Sequence, residues 1–61
     1  MYAVIDTQYT IAGSYETFAA ALLDAEAEAY SRSTSMGVVR IDDDGEPIAG
    51  EHPVWVDDTH S

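Results

Sequence analysis

The residues best suited to chemistry in this sequence are the carboxylates of the acidic run 42–46, and the chemistry that they first suggest is calcium binding. Carboxylates spaced around a glycine are typical of an EF-hand loop. Aligning Gly45 with the glycine of such a loop puts Glu51 at the final ligand position, but it also puts Arg40 where the first aspartate must stand. A cation in that position excludes the motif. We therefore expect an acidic turn here, with no bound metal and no cofactor.

Catalytic side chains are the second possibility. The sequence contains two histidines, His52 and His60, and neither has a companion at a spacing that builds a metal or acid–base site. The serines lack a nucleophile-elbow motif, and there is no cysteine to supply a thiolate. A chain of 61 residues also has little room for a deep active site. We expect exposed histidines and a protein that is not an enzyme.

The net charge is the strongest functional signal in the sequence. Twelve carboxylates face two arginines and no lysine, which gives a formal charge of −10. Such a surface repels phosphate backbones and anionic lipid, so we expect no direct binding to nucleic acid or membrane. It attracts basic surfaces, and this attraction can raise encounter rates about 10–1,000-fold at low salt. The charge therefore predicts a basic protein or ribonucleoprotein as partner.

Ten of the twelve carboxylates form three sets: one in the alanine-rich segment, one in the run 42–46, and one near the end of the chain that comprises Glu51, Asp57 and Asp58. Carboxylates four residues apart on a helix lie about 5–6 Å apart at Cβ, a spacing of the same order as that of successive phosphates. A row of them can imitate a nucleic-acid backbone. The predicted partner-binding residues are Asp24, Glu26, Glu28, Tyr30, Asp42, Asp43, Asp44 and Glu46.

The first of these sets must be positioned by a helix. Residues 17–30 are rich in alanine and leucine, and Thr17 is the preferred N-cap. Helical spacing puts five apolar side chains on one packing stripe, with Asp24 and Glu28 on the opposite flank. No basic residue precedes Arg32, so we expect these carboxylates to have no local partner along the helix. The predicted packing stripe is Phe18, Ala21, Leu22, Ala25 and Ala29.

Short strands should surround this helix. Strand-forming composition predicts strands at 2–6, 9–12 and 37–41, and a fourth at 46–49 or 53–57, with Asp42 to Gly45 as a hairpin turn and 59–61 as a frayed tail. Trp55, the single tryptophan, is expected in the core. The predicted fold is one α+β domain over residues 1–61: a small antiparallel sheet in ββαββ order with one helix packed on one face.

The sequence also bears on the location of the protein. No stretch approaches the ~18 consecutive apolar residues of a membrane span. The N-terminus has neither a basic segment nor an apolar segment of the secretory type. We therefore expect a cytoplasmic protein.

In size, charge and acidic sets, the whole chain resembles the small, acidic, cysteine-free bacteriophage proteins that block host defence, above all anti-CRISPR and DNA-mimic anti-restriction proteins. These proteins share no common motif, so the resemblance implies a mode of action and no particular residues. It implies an inhibitor in the host cytoplasm that occupies the basic nucleic-acid channel of a CRISPR effector complex or related nuclease and blocks target DNA binding. Two alternatives fit the same charge: an antitoxin-like regulator that neutralises a basic protein, and a halophilic domain whose charge serves solvation.

Overall fold

The computed structural model describes residues 1–57 and shows a helix packed on one face of a four-stranded antiparallel sheet. The predicted α+β class and ββαββ order are confirmed. The predicted tail at 59–61 lies outside the described residues. The elements are β1 (Tyr2–Ile5), β2 (Ile11–Tyr15), α1 (Phe18–Arg32), β3 (Met36–Arg40) and β4 (Val54–Val56), and the strands lie in the order β2-β1-β3-β4.

Helix α1 begins where the sequence predicts. Thr17 is the N-cap, and its Oγ1 accepts a hydrogen bond from the Ala20 N–H at 3.2 Å. The helix continues two residues past the predicted end at Tyr30 and stops at Ser33, which adopts the left-handed conformation with φ 53°. The Ser33 and Thr34 N–H groups then close the last turn on helix carbonyls.

The main core lies between α1 and the sheet. The buried face of the helix consists of alanines, and their small side chains let the helix lie close to β1 and β3. Three of the five residues of the predicted stripe are fully buried, Leu22 packs at the edge of the core, and Phe18 is exposed and meets the Tyr2 ring edge-on. The buried residues of this cluster are Val4, Ala21, Ala25, Ala29, Met36 and Val38.

The turn between β1 and β2 is built by Asp6. Its Oδ1 accepts the N–H groups of Gln8 at 2.8 Å and Thr10 at 2.9 Å, and Tyr9 takes a positive φ of 63°. The predicted second strand at 9–12 is therefore wrong at both ends, because the turn occupies residues 6–10 and β2 runs from Ile11 to Tyr15. A positive φ is rare for a bulky residue, so the sequence carries no recognisable turn signal here.

The turn after β3 repeats this geometry. Asp42 Oδ1 accepts the N–H groups of Asp44 at 2.9 Å and Glu46 at 3.0 Å, and Gly45 has φ 81°. The predicted hairpin turn is present, but the strand proposed at 46–49 is reduced to one isolated bridge at Pro47. Proline lacks the N–H that a ladder requires, so the fourth strand forms later, within the alternative range 53–57.

The face of the sheet away from α1 holds a second buried cluster: Ala3, Ile5, Val39 and Ile41. Trp55 belongs to this face and points away from its neighbours Val54 and Val56, as strand alternation requires. The expectation that Trp55 lies in the core is wrong, since 42% of the residue is exposed. The helix covers the other face, so the Trp55 ring rests on the outside of the sheet against Gly37.

Candidate interaction surface

Asp24 lies on the flank of α1 that faces β2. It is half-buried, and the Tyr15 hydroxyl donates a hydrogen bond to its carboxylate. This hydrogen bond raises the pKa of Tyr15, and desolvation together with the negative charges of Asp24 and Glu28 raises it further. Asp24 and Glu28 therefore lie beside the sheet edge, and the prediction that they occupy the flank opposite the packing stripe is wrong.

Glu28 has an ion-pair partner. Its Oε2 lies 2.6 Å from Arg32 Nε, one helical turn further on. The expectation that the helix carboxylates lack a local partner fails for this residue, because the helix extends to Arg32 and brings the guanidinium into i,i+4 range. Such a pair contributes only about 0.3–0.5 kcal/mol to a helix. Its larger effect is to hold one of the two arginines within the acidic surface.

The outward face of α1 is largely apolar. Leu23, Ala27 and Tyr30 follow the i, i+4, i+7 spacing of one helix face, and all three are exposed. Leu23 is 69% exposed and Tyr30 58%. The sequence predicts Tyr30 as a partner-binding residue but gives no signal for Leu23, because an alanine-rich helix has apolar residues outside its packing stripe as well as within it. We call Leu23, Ala27 and Tyr30 the outward stripe.

Carboxylates border the outward stripe on both sides. Glu26 is exposed and lies one turn before Tyr30. Asp24 and Glu28 lie on the other flank, towards β2. An apolar centre with a charged rim is the usual anatomy of a protein–protein interface, in which aromatic and aliphatic side chains provide affinity and the rim provides orientation. The helix thus brings four of the predicted partner-binding residues, Asp24, Glu26, Glu28 and Tyr30, to one surface.

The carboxylates of the second turn form a separate set at the end of the sheet. Asp42 is committed to the turn itself, because its carboxylate accepts two backbone N–H groups. Asp43, Asp44 and Glu46 are exposed, and no hydrogen bond or ion pair among the described residues joins them to the helix set. The helix set and the set in the run 42–46 are therefore separate in the fold, as a helix surface and an acidic turn.

The remaining arginine is also paired. Arg40 Nη1 lies 3.5 Å from Glu51 Oε1 on the surface beyond β3. Both arginines of the chain therefore stand beside carboxylates, while no charged residue in the described part of the chain is buried. The exposed surface of the described residues is anionic over both the helix and the turn.

Residues 1–57 contain no group of three or more His, Cys, Asp or Glu side chains placed to hold a metal ion. Their helix α1 is too short and too polar to cross a membrane. Comparison of the chain with protein-family models, with curated protein sequences and with solved structures gives no match.

Proposed function

We propose that this protein is an inhibitor that binds a basic, nucleic-acid-binding surface of a CRISPR effector complex or related defence nuclease and keeps target DNA from that surface. The resemblance in size and charge supplies the class of partner, and the surface of α1 supports the mode of binding. No catalytic step is part of the proposal. The inhibitor acts by occupying the site and by presenting negative charge where the partner binds phosphate.

The observation that carries the proposal is the outward stripe with its carboxylate rim. Leu23 and Tyr30 are large side chains that are more than half exposed on a helix, which is the arrangement of an interface anchor. Exposed carboxylates that serve only solubility need no apolar centre between them. A basic protein with an apolar depression in its nucleic-acid channel would bury the anchors and match the rim.

The acidic turn has a different part in this proposal. Asp43, Asp44 and Glu46 are exposed in the turn that follows β3, outside the helix surface, and add to the field that draws a basic partner. Charges outside the contact area mainly change the association rate and its dependence on salt. We assign affinity to the helix surface and long-range attraction to the turn.

Capture from a bacterial lysate that contains CRISPR effector complexes tests the proposal. The immobilised protein should retain an effector complex at low and at moderate salt, and the retained complex should have lost its binding to target DNA. Capture of a basic enzyme that does not bind nucleic acid would replace the proposal with an antitoxin-like regulator. Failure to retain any basic protein would overturn both.

Two charge-matched variants separate the helix surface from the turn. Glu26→Gln removes one charge at the rim of the outward stripe, and Asp43→Asn removes one charge from the acidic turn. Both residues are exposed and neither forms an ion pair among the described contacts, so both variants should fold normally. Glu26→Gln should weaken the captured complex more, with a faster dissociation rate, while Asp43→Asn should slow only association. The reverse order would place the docking surface on the turn.

A further inference from the structure

The sheet face opposite α1 carries a second exposed apolar patch, composed of Tyr9, Ile11 and Trp55, which we call the aromatic patch. Strand register aligns it across the sheet: Ile5 pairs with both Ile11 and Gly37, and Gly37 pairs with Trp55. Tyr9 is 59% exposed, and Ile11 and Trp55 are each exposed by more than two fifths. The patch lies on the opposite layer of the molecule from the outward stripe, so the two surfaces are independent.

The two aromatic rings form a corner. Their centroids are 6.0 Å apart and the ring planes meet at 84°. The six-membered ring of Trp55 lies over Gly37, so closely that a Cβ on Gly37 would stand 3.0 Å from its Cε3 and Cζ3 atoms. The absence of a side chain at Gly37 thus lets the indole pack directly on the sheet, and the Tyr9 ring contacts the indole edge-on. The corner presents aromatic surface to solvent in two directions.

Tyr9 occupies a backbone position that the equivalent turn after β3 gives to glycine. The same turn occurs after β3, where glycine takes the equivalent place and has φ 81°, against 63° for Tyr9. A bulky residue is less favourable than glycine in that conformation. The chain therefore holds a large ring where glycine would fit more easily, and the ring contacts an exposed Trp55 and not the core.

Charge determines what this patch can bind. The net charge of the chain is −10, which disfavours binding both to a second copy of itself and to nucleic acid. Two carboxylates lie at the same end of the sheet as the corner: Asp6 directly follows Ile5, and Asp57 directly follows Val56, which pairs with Met36. Both carboxylates already accept hydrogen bonds, Asp6 from the Gln8 and Thr10 N–H groups and Asp57 from the Ser35 hydroxyl, so they contribute negative charge while the rings provide the contact. A cation that also has a flat face suits this combination. Among protein groups this is the arginine guanidinium, which stacks on aromatic rings more readily than a lysine ammonium.

We propose that Tyr9 and Trp55 bind an arginine side chain of the cationic partner, with Asp6 and Asp57 providing the surrounding negative charge. This inference rests on the proposed function in one respect, that the partner is a basic protein. It adds a second contact on the layer opposite α1 and names the side chain that the contact accepts.

Trp55 is the only tryptophan of the chain, so its fluorescence reports directly on this site. The test is a titration of the whole protein with an oligo-arginine peptide and with an oligo-lysine peptide of equal length at about 0.15 M salt. Both peptides should be attracted by the net charge, but the arginine peptide should bind about two- to fivefold more tightly per stacked guanidinium. It should also change the Trp55 emission, which the lysine peptide should leave nearly unaltered.

Tyr9→Gly is the critical variant, and Tyr30→Ala is its matched control on the other layer. Tyr9→Gly should fold, because glycine already occupies the same place in the second turn, and circular dichroism checks this. It should lose the preference for arginine over lysine, while Tyr30→Ala should keep it. Equal affinity of the two peptides for the native protein would overturn the proposal, and so would an arginine preference that survives in Tyr9→Gly.

The outcome does not depend on the capture experiment, because the peptides are not a defence complex. Discrimination between the peptides without capture of any effector would refute the proposed function and leave the arginine site standing. Capture of an effector without discrimination between the peptides would support the proposed function and refute the arginine site.

Discussion

The place of Trp55 on the sheet depends on Gly37, and Gly37→Ala tests this dependence. A Cβ at that position would lie 3.0 Å from two Trp55 ring atoms and 3.2 Å from Ile5 Cγ1. Ordinary contacts begin near 3.4 Å. Ile5 is fully buried and cannot withdraw, so the indole must move outwards into solvent.

The size of the effect follows from two opposing terms. Overpacking of this kind costs about 1–3 kcal/mol. Replacing glycine by alanine in an extended strand raises the free energy of unfolding by about 0.4–1 kcal/mol, because alanine lowers the conformational entropy of the unfolded chain. We expect a net loss of about 0.5–2 kcal/mol, and a domain of this size loses about 4–8 °C in Tm for each kcal/mol.

Thermal unfolding followed by circular dichroism and by Trp55 fluorescence measures both consequences. Gly37→Ala should lower the Tm and shift the native emission to longer wavelength as the ring becomes more exposed. Gly13→Ala is the matched control: its Cβ would meet only the outer end of the half-buried Tyr15 ring, at 3.2 Å from the hydroxyl, so its Tm should change little. Native-like stability and unchanged emission in Gly37→Ala would refute the placement of the indole over Gly37.

Three further predictions concern the fold. Thr17→Ala removes the N-cap of α1 and should cost about 0.5–2 kcal/mol in a urea titration, and a smaller loss would show that the cap is dispensable. The pKa of Tyr15 is raised in the folded state, so the contribution of Tyr15 to stability is complete below its unfolded pKa of about 10 and is lost as pH rises through the folded pKa. Tyr15→Phe should therefore lose less stability than the native protein when the pH rises above ~10. Identical pH profiles of the two proteins would contradict the hydrogen bond to Asp24. The native protein should unfold cooperatively at about 0.15 M salt, since the core formed within residues 1–57 is apolar and holds no charge, whereas folding that needs molar salt would favour the halophilic alternative.

Local signals carried much of the fold prediction. The helix, its Thr17 cap and the Asp42 to Gly45 turn each follow from residue preferences that act within a few positions, and the order of elements follows from them. The first turn could not be predicted from the sequence, because Tyr9 adopts the positive φ that glycine usually adopts at such a position. The end of α1 was placed too early, because Ser31 and Arg32 continue the helix in a hydroxyl-rich segment that reads as a connector.

The surfaces were harder to predict, because they depend on which elements pack together. Trp55 was expected in the core on the basis of its size, but one helix covers one face of the sheet and leaves the indole outside. The sequence indicates no role for Leu23, because a single further leucine outside the packing stripe of an alanine-rich helix gives no signal of its own. The separate helix and turn sets of carboxylates follow from the sequence, but the half-buried position of Asp24 and Glu28 beside β2 depends on the tertiary fold.

The two proposed contacts lie on opposite layers of the molecule: the outward stripe on α1 and the aromatic patch on the sheet. A partner that uses both must enclose the protein, as the walls of a channel do. A partner that uses only α1 would leave Trp55 emission unchanged on binding. The fluorescence of the captured complex therefore distinguishes enclosure from one-sided docking.

The most direct test of the central claim is competition for DNA with the anchors removed. Wild-type protein should displace target DNA from a captured effector complex in a dose-dependent manner, and Leu23→Ala combined with Tyr30→Ala should lose this ability while keeping its charge of −10 and its helix content. Val54→Ala, which shortens an exposed side chain on β4, should compete like wild type. Equal competition by the double variant would contradict docking through α1, and no competition by wild-type protein would contradict the inhibitor itself.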